Sequence, residues 1–137
     1  MQYSPSVPFA SNFPLPITSS CSFNRSLWTA TGRQIGREAR AFMNQGAAYG
    51  TYWAPVINVA RDPRWGRNLE AAGEDPTVTG QYAISFVSGF QSAPEAPELL
   101  QASACCKHFV ANELEAWNGT DRYHFDANVT AQDLADT

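Results

Sequence analysis

Ala54 to Pro76 reads APVINVARDPRWGRNLEAAGEDP, and the succession of chemistries inside it decides the fold class. It opens on an apolar, β-branched run, crosses a charged loop and ends on Asp75-Pro76. With the residues just before it, the run predicts a strand from Thr51 to about Val59, built on Tyr52, Trp53, Val56, Ile57 and Val59. Pro55 has no N–H for a ladder, so the strand is expected to be imperfect, with a bulge. Ala60 to Glu74 reads as an irregular charged loop. Asp75 then supplies a helix cap and Pro76 sits at the first helical position, where a missing N–H does no harm.

Outward from this unit the same alternation repeats. Upstream, Asn24 is a plausible cap for a helix running to about Gln45, with Trp28, Ile35, Ala39, Phe42 and Met43 at helical spacing and Gly46 as its stop. Downstream of Pro76, Val78, Tyr82, Phe86 and Phe90 form one stripe at i+4 steps. Ser92 to Glu98, with Pro94 and Pro97, reads as a surface connection. A second strand is expected from about Ala102 to Phe109, then a polar loop to Asn128, then a helix capped by Thr130. Residues 1–22, rich in Pro and Ser, read as an extended lead-in. Helices and strands in this order predict an α/β fold, a parallel sheet with covering helices. Ligand sites in such folds lie at the carboxyl ends of the strands, and both polar loops occupy that position.

Bulk properties narrow the function classes. The 137 residues are 44% hydrophobic, enough for one domain or part of one. Thirteen acidic against nine basic residues, a net charge of −4, argue against nucleic acid or a membrane surface as partner. Mean hydropathy is −0.32, and no run approaches the roughly 18 apolar residues of a membrane span. Met1 to Ser20 lacks Lys and Arg and is broken by Pro5, Pro8, Pro14 and Pro16, so it is not read as a signal peptide. Three N-x-S/T sequons, at Asn24, Asn118 and Asn128, nevertheless exceed the roughly one that chance supplies and suggest a secretory history. Cys21, Cys105 and Cys106 leave at least one thiol unpaired. Cys105 and Cys106 are expected as small buried hydrophobes on opposite strand faces, with a bridge to Cys21 as the alternative. No CxxC or paired His supports a zinc site, and neither metal nor cofactor is expected.

Three groups could carry chemistry. In RDPRWGR (Arg61 to Arg67), guanidinium forks could donate paired hydrogen bonds to vicinal hydroxyls or anions, and Trp65 could offer an indole platform. Polar edges beside an apolar face suit carbohydrate, whereas phosphate has no need of the tryptophan. The plainer structural alternative is an Arg61–Asp62 ion pair with Trp65 as a packing anchor. Lys107 and His108, ending the second strand, could reach a hydroxyl from two directions, or could be a satisfied strand terminus. Glu113, Glu115, Trp117, Asp121 and Arg122 follow, the carboxylates expected as solvated or ion-paired and Trp117 as a second sugar platform. No GxSxG motif supports a serine triad.

Ala54 to Pro76, SACCKHFVANELEAWNG (Ser103 to Gly119) and SNFPLPITSSCSFNRSLW (Ser11 to Trp28) together resemble the N-terminal domain of glycoside hydrolase family 3. DRYHFDANVTAQDLADT (Asp121 to Thr137) is similar to the branch of β-xylosidases and α-L-arabinofuranosidases. The resemblance covers nearly the whole chain after its first ten residues. It implies a (β/α)8 barrel, of which 23–137 would be about the first half, and a retaining exo-glycosidase acting on xylo-oligosaccharides. It implies that Arg67, Lys107 and His108 bind sugar hydroxyls, with Arg122 and Trp117 as further candidates. The nucleophile and the acid/base carboxylate are expected outside this chain, and the parent enzyme is expected to be extracellular.

Three places depart from the family's pattern. Val56 stands where Asn is common, Ala60 where an aromatic is usual, and Leu69-Glu70-Ala71-Ala72 replaces a more polar, Pro-containing stretch. A complete barrel takes about 250 residues, and a retaining mechanism needs two carboxyl groups about 5 Å apart. The rival readings are a non-catalytic carbohydrate-binding or degenerate fragment, a β-glucosidase preference in the parent, and an anion-binding module using the arginine loop.

Overall fold

The structure is a computed structural model that describes residues 9–137. Residues 1–8 of the expected lead-in, with Pro5 and Pro8, lie outside the described residues. The rest of that segment is not wholly extended, because a short helix, α1 (Pro16–Ser20), forms in it. Pro16 takes the first helical position, where its fixed φ suits the turn. Long-range contacts hold α1 in place. The Trp28 indole N–H donates to the Ser19 carbonyl at 2.9 Å, and the buried Ser20 hydroxyl bonds to the Ala72 carbonyl.

Helix α2 (Arg25–Asn44) begins where expected, because the Asn24 side-chain oxygen accepts from the Leu27 N–H at 3.0 Å. It ends at Gly46, whose φ of +69° is the left-handed geometry that stops a helix. Helix α3 (Pro76–Gln91) starts likewise on Asp75, whose carboxylate accepts from the Val78 N–H at 3.0 Å. The two helices pack with their backbones in close approach. A Cβ at Gly32, Gly36 or Gly89 would collide with the carbonyl oxygen of Phe86, Phe90 or Thr29 respectively. The periodicity places Trp28, Ala39, Tyr82, Phe86 and Phe90 in one core, and all are buried there. Tyr82, Phe86 and Phe90 stack along α3 with centroids 5.9 Å apart, and Trp28 meets Tyr82 edge-on at 5.4 Å. Each such burial contributes about 1.5–3 kcal/mol.

The expected strands at 51–59 and 102–109 are parallel neighbours, but regular only over β1 (Thr51–Tyr52) and β2 (Ser103–Ala104). Pro55 interrupts the first, and pairing resumes as the Val56–Lys107 bridge. There the Ile57 N–H donates to the Lys107 carbonyl at 2.6 Å and the Lys107 N–H to Pro55 at 3.1 Å. The Ala54–Pro55 and Lys107–His108 peptide bonds are cis. Cys105 is half-buried, Cys106 and Cys21 are exposed, and all three are free. The expected burial of the cysteine pair is therefore corrected: Cys106 lines an open cavity next to Ile57 and His108 instead of a packed face.

Two 3-10 turns, Pro63–Trp65 and Asn68–Glu70, shape the charged loop. The second polar loop contains an unforeseen antiparallel hairpin of β3 (Ala116–Trp117) and β4 (Thr120–Asp121). Helix α4 (Ala131–Asp136) follows, the Thr130 hydroxyl accepting from the Asp133 N–H at 3.1 Å as the sequence implied. The architecture is mixed α/β. Among the described residues, no helix is long and apolar enough to cross a membrane.

Candidate sugar-binding site

The RDPRWGR loop splits by function. Asp62 folds back on itself, accepting from the Arg64 N–H at 2.8 Å and from the Arg64 guanidinium at 2.9 and 2.6 Å. Arg61 lies 3.6 Å from Glu113, so the Arg61–Asp62 pair of the structural alternative is replaced by two separate ones. Trp65 is fully buried among Val56, Ala60 and Ala71. The indole is therefore a packing anchor, and the platform reading is corrected. Gly66, at φ +79°, then turns the chain so that Arg67 faces the second loop.

Arg67 is held by two carboxylates. Its Nε and one terminal nitrogen donate to the two Glu70 oxygens at 2.7 and 2.8 Å, a bidentate fork. Its other terminal nitrogen donates to Glu115 at 3.1 Å. Lys107 reaches the same Glu70 at 3.0 Å from the end of the parallel ladder. Glu115 also accepts from Arg122 at 2.9 Å and from the Trp65 indole N–H at 3.3 Å. Glu70 and Glu115 thereby tie both polar loops into one cluster with Arg67, Lys107 and Arg122. Arg67 keeps two of its five N–H donors uncommitted to these partners, and Lys107 two of its three.

His108 is oriented by a residue that sequence reading passed over. The buried Asn58 accepts the His108 backbone N–H at 2.6 Å, and the same oxygen lies 3.2 Å from Nδ1. An acceptor at that place puts the ring hydrogen on Nδ1 and leaves Nε2 as the acceptor of the neutral ring. The Trp65 indole meets the imidazole edge-on, with centroids 5.9 Å apart. Asn58 was legible only as a polar residue inside an apolar strand.

Electrostatics follow these contacts. The Arg67 hydrogen bonds outweigh burial and hold the Glu70 carboxyl at about 2, with Lys107 helping. Burial lowers the His108 pKa, and the charges of Arg67 and Lys107 lower it further. Burial raises Glu113 against the opposing pull of Arg61 and Asn58, its Oε2 finding no hydrogen-bond partner among the described residues, whereas in Glu115 the hydrogen bonds from Arg122 and Arg67 overcome burial and lower it. The cluster thus presents cationic donors, and His108 adds a neutral imidazole on the neighbouring cavity, groups suited to a neutral polyol.

The candidates do not all face one space. Lys107 and Glu70 line a cavity of about 970 Å³ with Tyr52, Trp53 and Val56. His108 lines another of about 770 Å³ with Asn58, Asp62 and Glu113. Trp117 stands exposed on the hairpin, and among the described residues no hydrogen bond or ring contact joins its side chain to Arg67, Lys107 or His108. Asn24 and Asn128 are exposed, as is Asn118.

Comparison with known proteins agrees with the resemblance. The family model described as Glycosyl hydrolase family 3 N terminal domain matches residues 7–135. Beta-D-xylosidase 1 of Arabidopsis thaliana is 53% identical over 130 residues, covering 95% of this chain and 17% of that protein. Beta-xylosidase/alpha-L-arabinofuranosidase 1 of Medicago sativa subsp. varia is 48% identical over 136 residues, covering 98% and 18%. A solved GH3 exo-beta-xylosidase bound to a xylobiose aziridine activity-based probe superposes with a TM-score of 0.76 at 33% identity, covering 83% of this chain and 15% of that one. Beta-glucosidase 3B from Thermotoga neapolitana, in complex with alpha-D-glucose, gives 0.67 at 35% identity, covering 82% and 14%. The chain spans under one fifth of the length of these relatives. On the match over residues 7–135 and on these identities, the chain belongs to glycosyl hydrolase family 3, within its N-terminal domain.

Proposed function

We propose that this chain supplies the hydroxyl-binding part of the sugar subsite in a secreted, exo-acting, retaining β-xylosidase that degrades xylo-oligosaccharides. One observation carries the reading: Arg67 and Lys107, from different loops, converge on Glu70 at 2.7 to 3.0 Å with donors to spare. In this reading Arg67 and Lys107 donate to sugar hydroxyls, neutral His108 accepts one through Nε2, and Arg122 extends the cluster through Glu115. The two carboxyl groups of a retaining mechanism belong to the remainder of a longer parent. Residues 23–137 are then about the first half of a (β/α)8 barrel, with 1–22 leading into it. The parallel β1–α3–β2 unit and the xylosidase likeness support this. Three sequons support secretion.

The 35% identity to a beta-glucosidase keeps hexose preference as the second reading. The parent enzyme assayed on aryl β-xyloside, aryl β-glucoside and aryl α-L-arabinofuranoside separates them. The highest kcat/KM is expected on the xyloside. A clear glucoside preference overturns the pentose assignment, and sugar binding without hydrolysis of any of the three favours a non-catalytic carbohydrate-binding role.

A further inference from the structure

The β3–β4 hairpin projects from the Glu115–Arg122 edge of the charged cluster, and its turn has a chemistry of its own. Ala116 pairs with Asp121 and Trp117 with Thr120, leaving Asn118-Gly119 as a two-residue loop. The φ values of these two residues are +47° and +85°, both left-handed, which defines a type I′ turn. Asparagine tolerates that region better than other side-chain-bearing residues and glycine enters it freely, so local sequence and turn agree. The same residues form the sequon Asn118-Gly119-Thr120, and all of them are exposed.

Trp117 completes the arrangement. As the direct partner of Thr120 it shares one face of the hairpin with it, immediately beside the asparagine, and it is 53% exposed. Among the described residues no ring stacks on it, and a free indole face is a platform for the C–H face of a pyranose. The other two sequons are placed differently. Asn24 spends its carboxamide oxygen capping α2, and Asn128 donates from Nδ2 to Asp126 at 3.2 Å on the rim of the cavity beside His108. Among the described residues no side-chain hydrogen bond holds the Asn118 carboxamide.

We propose that Asn118 is an N-glycosylation site and that the Trp117 indole seats the first sugar of its glycan, not the substrate. The assignment rests on the secretory route proposed above. The donor is an N-acetylhexosamine-headed oligosaccharide on a polyprenyl pyrophosphate. Asn118 Nδ2 bonds to the anomeric carbon as the bond from that carbon to the pyrophosphate oxygen breaks. The pyrophosphate leaves with the bonding electron pair, and Nδ2 gives up one of its two protons.

The test directs the whole chain into the secretory pathway of a yeast host behind a cleavable leader, so the result does not depend on the natural route. Peptides are mapped by mass spectrometry after enzymatic deglycosylation in heavy-oxygen water. The Asn118 peptide is expected to carry the glycan, and Asn118→Gln or Thr120→Ala to abolish it. An unmodified Asn118 peptide overturns the assignment, whatever the state of Asn24 and Asn128. For the platform, proton NMR of the glycosylated chain is expected to show the first sugar's protons shifted upfield by the indole ring current, with loss of that shift in Trp117→Ala. Unshifted sugar protons in the unsubstituted chain overturn the platform role. A glycosylated hairpin alongside a parent with no xylosidase activity would sink only the functional reading.

Discussion

Arg67 sits in a cage of two carboxylates, and that cage sets what substitutions around it should do. In the parent enzyme, Arg67→Ala removes a charged donor worth about 1.5–3 kcal/mol, so kcat/KM on aryl β-xyloside is expected to fall by roughly 10- to 150-fold. A near-neutral result would make the arginine structural. Glu70→Gln should also lower kcat/KM, because the fork that aims Arg67 and anchors Lys107 is lost. Glu70 is held at about 2 in the fold, below its ordinary 4.5. Its stabilising contribution is therefore complete above the ordinary value and fades as pH falls toward 2. Thermal midpoints of the chain and of Glu70→Gln should converge as pH approaches 2. His108 has the same sign in a higher window. Its pKa is lowered below 6.5 by burial, so the unfolded chain binds more protons between the lowered value and 6.5. Stability should rise with pH across that window, and His108→Gln should flatten the rise in urea midpoints measured from pH 5 to 8. Arg61 to Arg67 and Lys107-His108 were legible as dense, unusual strings, and the resemblance singled out Arg67, Lys107 and His108 within them. Glu115, expected as a solvated or ion-paired carboxylate, is ion-paired; Asn58 and Glu70 were not legible as site residues, because their importance lies in the partners they reach.

At the scale of elements, the helix pair is joined through glycines. Gly36→Val would drive its side chain into the Phe90 carbonyl, which the backbone contact cannot relieve locally. A loss of about 1–3 kcal/mol or more is expected in urea unfolding, as for other overpacked sites. An unchanged midpoint would mean that the helices separate more readily than their packing suggests. Both helices were readable from caps and stripes, whereas the glycine contact was not, since no periodic signal marks which glycines meet a neighbour. The three departures from the family's pattern also meet in space. Val56, Ala60 and Ala71 all pack on the fully buried Trp65, which in turn touches both Glu115 and His108. An apolar nest thus backs the charged cluster, and only folding brings its members together. The hairpin has a readable signal, Asn118-Gly119, which the overlapping sequon masks.

For the whole molecule, coverage of 17–18% of the two plant relatives frames what the chain can do. Assayed alone on aryl β-xyloside, the 137-residue chain is expected to show no turnover, and clear hydrolysis would overturn the placement of its catalytic carboxylates elsewhere. Tyr49, Trp53 and Phe109 are 91%, 69% and 99% exposed around an open two-stranded parallel sheet, large apolar surface that additional strands would cover. The three sugar-binding candidates came from the family resemblance, whereas the residues by themselves determined the alternation of helices and strands, the two capped helices and the parallel pairing. Those depend on interactions within a few residues or on periodicity along one element. Only the tertiary structure decided that Trp65 is an anchor, that Glu70 and Glu115 bind the two loops together, that Asn58 sets the His108 tautomer and that Trp117 stands apart. Such contacts join residues as many as 50 apart, and no local pattern encodes which carboxylate will meet which arginine.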